Sequence, residues 1–115
     1  MQERFPKSDW KLFRERLPDW QETYMDKLNQ EYIQLLSGDD SPSEKFWKLD
    51  KKIKANKRSP GVQLQISRTD LFFSLLSLLN DNVISLDDLN GFSEDLRDTV
   101  QTFYERQFSG DSDEE

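Results

Sequence analysis

The chain has 115 residues, of which 34% are charged and 34% hydrophobic, with a net charge of −7 and neither Cys nor His. Disulfides and thiolate metal sites are therefore excluded, and the commonest general base and transition-metal ligand is missing. Three Trp, three Tyr and eight Phe supply the large burial units for one modest core, so a single domain is expected over residues 1–108.

In chain order, Ser8 reads as an N-cap with Asp9 in the first turn behind it. Trp10, Phe13 and Leu17 then share one side of a short helix. Pro18 is expected to end that helix, because the residue before proline is pushed out of the helical region. Pro18 would also open the next helix. There Trp20, Tyr24, Leu28, Tyr32, Leu35 and Leu36 fall three or four residues apart, and Gly38 offers a left-handed stop.

Ser41-Pro42-Ser43-Glu44 is a capping box with proline at the first helical position. The helix after it places Phe46, Leu49 and Ile53 on one face. Trp47 lies off that stripe and is the aromatic expected to be exposed. Ser59-Pro60-Gly61 ends the helix. Val62 to Ile66 alternates with period two but has no convincing partner strand in the chain. It is expected to be extended: a connector, an edge packed on helices, or a strand that pairs with a partner, including a second copy.

Leu71 to Leu79, LFFSLLSLL, is apolar nearly all round and belongs in the middle of the core. Ser67 to Asp70 forms a possible capping box for it. Ser85 caps a short turn from Leu86 to Asn90, and Gly91 stops that turn. Ser93 caps the last helix, where Leu96, Val100, Phe103 and Tyr104 form the buried stripe. Ser109 to Glu115 reads as an acidic disordered tail. The fold class is thus all-α: a small bundle of four main helices plus a short helical turn, with one extended segment near 62–66.

Charge is unevenly placed. Residues 44–58 carry seven basic and two acidic groups, whereas residues 81–115 carry two basic and eleven acidic groups. The basic stretch, with Lys48, Lys51, Lys52, Lys54, Lys57 and Arg58, could neutralise phosphates without reading sequence, or could simply be a solvated helix face. The apolar helix that follows it cannot serve as a recognition helix. The acidic stretch, with Asp87, Asp88, Glu94, Asp95 and Asp98, could imitate a nucleic-acid backbone and dock on a basic protein surface, or could serve solubility and capping. Asp111, Asp113, Glu114 and Glu115 add to it. Asp81 to Asp88 lacks the Gly and the terminal Glu of a calcium loop. No Gly-rich phosphate loop or nucleophile elbow occurs, so no cofactor, no metal and no enzyme are expected. The first residues lack an apolar targeting core, and no segment is long enough to span a bilayer, so the expected setting is the cytoplasm.

The chain resembles a group of short proteins from Gram-positive bacteria that accompany mobile elements and often carry a multidrug-transporter label. The resemblance rests on Phe5-Pro6-Lys7-Ser8-Asp9-Trp10-Lys11-Leu12-Phe13, on Phe46-Trp47, on Ser59-Pro60-Gly61-Val62, on Ile84-Ser85-Leu86-Asp87-Asp88-Leu89 and on Gly91-Phe92-Ser93. The transporter label is incompatible with the lack of a spanning segment. The mobile-element association implies an antagonist of a defence system, of the anti-CRISPR type. The expected activity is therefore non-enzymatic binding, with the acidic stretch docked on a basic protein such as a nucleic-acid-guided nuclease. The alternatives are a nucleic-acid-binding accessory protein using the basic helix, and a self-association module.

Overall fold

The computed structural model describes the backbone of residues 5–113 and the side chains of residues 5–107. Four helices follow one another: α1 (Lys7–Leu36), α2 (Pro42–Asn56), α3 (Leu71–Asn80) and α4 (Glu94–Asp113). Short 3-10 turns at Arg68–Asp70 and Leu86–Leu89 lead into α3 and α4. Among the described residues there is no strand.

The apolar stretch is the centre of the molecule. Leu71, Leu75, Leu78 and Leu79 of α3 are buried together with Phe13 and Leu17 of α1, Leu89 and Phe92 of the connection, and Leu96 and Val100 of α4. Trp10, Trp20, Phe72 and Tyr104 pack around this cluster. Phe73 of α3 is instead 66% exposed.

The expected break at Pro18 does not occur, and α1 is continuous for 30 residues. Proline removes one backbone donor, to the carbonyl of Arg14, and disfavours the helical form of Leu17. Phe13, Leu17 and Leu28 are all buried by neighbouring elements along the same helix, and that burial outweighs the local cost. The start also differs: α1 begins at Lys7 behind Pro6, not behind Ser8. At its other end Ser37 closes the helix in the right-handed region, donating to Ile33, and Gly38 is not left-handed. The left-handed glycine of this chain is Gly91, at φ 98°, on the approach to α4.

The capping box at Ser41 with Glu44 forms as the spacing predicts, and Ser85 opens its short turn as expected, with Asp88 accepting from it as a partner that the sequence reading does not assign. Ser93 caps α4, its hydroxyl accepting from the Leu96 amide at 3.3 Å. Ser67 does not cap α3. Its hydroxyl donates to Asp70 instead, and the 3-10 turn intervenes.

Residues 59–67 form a strap along α1. The Gln21 amide donates to the Pro60 carbonyl at 3.0 Å, and Gly61 lies so close to the Tyr24 ring that a methyl there would overlap it. Asp81, just past α3, accepts from the hydroxyls of Ser59 and Tyr24. Val62 and Leu64 are half-buried against the chain itself, with Leu64 on the core cluster. The segment runs as a connector within the chain, with Val62 and Leu64 partly covered and Ile66 exposed.

Two long-range polar clasps join the ends of the chain. Asp9 is 2% exposed and accepts from the Ser93 amide at 2.8 Å and the Ser93 hydroxyl at 2.6 Å. Arg16 donates to the carbonyls of Asp88 and Asn90 and lies over the Phe92 ring. Both clasps fix where α4 begins relative to α1. The helix of α4 carries on through 109–113, where a disordered tail is expected from the sequence, because extending a formed helix costs little per residue. Asp111 and Asp113 have no described side chains, and Glu114 and Glu115 lie outside the described residues.

Candidate interaction surfaces

The acidic stretch divides. The Asp88 carboxylate accepts from the amide and hydroxyl of Ser85, so it closes the turn before α4 and is half-buried. Capping spends it locally. Asp87, Glu94, Asp95 and Asp98 are exposed. Glu94 and Asp95 stand in the first turn of α4, where the helix dipole favours negative charge. Asp87 lines an open depression of about 360 Å³ together with Asn82, Ser85 and Tyr104.

The same helix carries an aromatic feature that the sequence pattern places in the core. The Phe72 ring stands between Phe73 and Phe103, at 5.0 and 5.1 Å, edge to face with each. Phe103 is 43% exposed, and the Arg106 guanidinium lies over it at 5.5 Å. The outer rings of this trio face solvent on the seam between α3 and α4. Large exposed rings beside charge are the composition of interface centres.

On α2 the expected exposure of Trp47 is observed, at 64%. Phe46 departs from expectation, because it is also exposed rather than part of a buried stripe. The two rings meet edge to face at 4.9 Å. No residue of α2 is fully buried. α2 packs on α1 through a partly covered stripe that includes Leu49 and Ile53, and Asn56 donates to the Tyr32 hydroxyl. Of the cations, Lys48 pairs with Asp40 at 2.6 Å and Lys54 with Asp50 at 3.0 Å. The hydrogen bond that Lys48 donates to the Asp40 carboxylate raises the Lys48 pKa above the usual lysine value. Lys51, Lys52, Lys57 and Arg58 are exposed. By helical spacing, Trp47, Lys51 and Lys54 form one outward stripe, and Arg58 stands in the turn just past the helix end.

A second basic surface has no counterpart in the sequence reading. Lys7, Trp10, Lys11 and Arg14 of α1, joined by Ser8 and by Arg68 of the strap, line an open depression of about 480 Å³. Arg14 lies over the Trp10 indole at 5.3 Å. The i, i+4, i+7 spacing of Lys7, Lys11 and Arg14 is visible in the sequence, but the arrival of Arg68 beside them depends on the strap's path.

Among the described residues no group of three or more acidic side chains is arranged to hold a metal ion, and no helix is long and apolar enough to cross a membrane. No family model, no curated protein and no solved structure matches this chain.

Proposed function

We propose that this chain is a non-enzymatic protein-binding module whose working face is the seam of α3 and α4. The observation that carries the reading is a pair of exposed phenyl rings, Phe73 and Phe103, each edge to face with the half-buried Phe72 where α3 meets α4; exposed carboxylates stand at the start of the same α4. Aromatic rings provide the desolvated anchor, and the carboxylates set orientation and encounter rate. The partner then presents a basic surface with an apolar centre. Proteins that hold nucleic acid in positively charged channels have such surfaces. The resemblance to mobile-element proteins adds the finer reading, inhibition of a nucleic-acid-guided defence nuclease.

The test uses a purified RNA-guided DNA nuclease with its guide. The wild-type chain is expected to slow cleavage and to be retained on the immobilised nuclease. A variant with Asp87→Lys, Glu94→Lys, Asp95→Asn and Asp98→Lys is expected to lose both effects. Retention that is unchanged in the variant overturns the acidic docking mechanism.

A second reading has its own observation. The α2 stripe of Trp47, Lys51 and Lys54, with Arg58 just past its end, combines a stackable ring with phosphate-reaching cations, as single-strand binding requires. Titration with single-stranded and duplex nucleic acid at about 50 mM salt tests it, since such binding is strongest at low salt. Absence of binding there removes this reading.

A further inference from the structure

We infer that the chain associates with a second copy of itself, with α2 of one copy seating Phe46 and Trp47 on the Phe72–Phe73–Phe103 trio of the other. The inference rests on the α3–α4 seam being a docking face, and it names an occupant for that face. The seam asks for exposed apolar rings set among cations. The chain carries that combination on α2.

Three observations support the pairing. First, both surfaces are left unpartnered within one chain. Phe46 and Trp47 are 63% and 64% exposed, and their edge-to-face contact holds them as one preformed knob. Second, the charges are complementary. Residues 44–58 carry seven basic and two acidic groups, against two basic and eleven acidic groups in residues 81–115. Exposed Lys51 and Lys54 lie on the same stripe of α2 as Trp47, and exposed Asp95 and Asp98 lie on the helix that bears Phe103. Third, α2 stands away from the core. None of the residues of α2 is buried, and none belongs to the core cluster or packs against it.

Size sets the expected strength. The four exposed rings bring roughly 350 Å² of aromatic surface to one contact, counting about 60% of a typical aromatic area for each. One such contact is small beside the total of about 1,000 Å² that a specific interface needs. A closed pair makes the contact twice, α2 to seam and seam to α2, and with the flanking charged side chains it reaches that scale. The result is a weak dimer that salt loosens.

Sedimentation velocity on the full chain, from about 5 to 500 µM, covers the range expected of so small an interface. A monomer–dimer equilibrium is expected, its dissociation constant rising about tenfold between low and high salt. The variant Phe46→Ser with Trp47→Ser, and separately Phe73→Ser with Phe103→Ser, are each expected to be monomeric with unchanged helical circular dichroism. Complementation is read on charge-reversal variants at solvent-facing positions, Lys51→Glu with Lys54→Glu against Asp95→Lys with Asp98→Lys, each expected to be monomeric alone. Their equimolar mixture restores opposite charge at both contacts and is expected to dimerise again. A wild-type chain that stays monomeric throughout overturns the inference, as does a dimer that survives both serine variants. A charge-reversal mixture that stays monomeric also overturns it. Failure here is separable from failure of the docking face itself: a monomeric wild type whose nuclease retention is lost on Phe73→Ser with Phe103→Ser leaves the face standing and removes only the second copy.

Discussion

Asp9→Ala should damage this fold more than any other single polar substitution on α1. The Asp9 carboxylate is 2% exposed and takes two hydrogen bonds from Ser93, at 2.8 and 2.6 Å, across 84 residues of sequence. Each is charge-assisted, worth about 1.5–3 kcal/mol when one partner is deleted. The two share one acceptor group, and Ser93 is only half-buried, so water relieves part of the loss. A total of about 2–4 kcal/mol follows, since coupled contacts do not add fully. At this chain length that lowers the thermal midpoint by roughly 8–16 °C. Asp9→Asn keeps one acceptor for the amide and loses the charge, so it should cost about half as much. Urea denaturation followed by circular dichroism measures both. A destabilisation below about 0.5 kcal/mol for Asp9→Ala, the size of an ordinary surface change, refutes the claim that this clasp joins α1 to α4.

Four further outcomes follow from the packing. Leu75→Ala, at a fully buried site on α3, should cost about 2–5 kcal/mol in urea denaturation. Gly61→Ala should cost about 1–3 kcal/mol, because its methyl meets the Tyr24 ring; the same change in a Tyr24→Ala background should be nearly neutral. Arg16→Ala should lower stability by about 1–3 kcal/mol, through the carbonyls of Asp88 and Asn90, with hydrogen exchange rising first in residues 86–92. Pro18→Ala should stabilise the chain by about 1 kcal/mol or more, since the helix runs through this position and the Arg14 carbonyl regains a donor. An unchanged or lowered stability for that variant would favour two helices broken at residue 17.

Local chemistry was legible from the sequence where the signal is short-range. Ser41 with Glu44 caps as its spacing predicts, Ser85 opens its turn, and Leu71 to Leu79 sits at the centre because most of its surface is apolar, with Phe73 alone of its large side chains left largely exposed. Pro18 misleads because propensity is a local cost, and burial of Phe13, Leu17 and Leu28 along one rod exceeds it. Phe46, Phe73 and Phe103 all lie on apolar periodicities. Periodicity says which residues share a face, not whether another element arrives to cover it. Asp9 reads as an ordinary first-turn acid, and nothing local indicates a partner 84 residues away. The acidic residues were visible as a cluster, but the engagement of Asp88 with Ser85 in the turn before α4 was not. The basic depression at Lys7, Lys11, Arg14 and Arg68 needed the strap's course.

The claim on which the functional account turns is that partners land on the α3–α4 seam. A photo-crosslinking phenylalanine analogue at position 73, with a control at exposed Glu31 on α1, tests it in cells with mass spectrometry of the products. The account predicts crosslinks from position 73 to another polypeptide, on a basic segment, and few from position 31. Crosslinking that is absent at 73, or no stronger there than at 31, would contradict it.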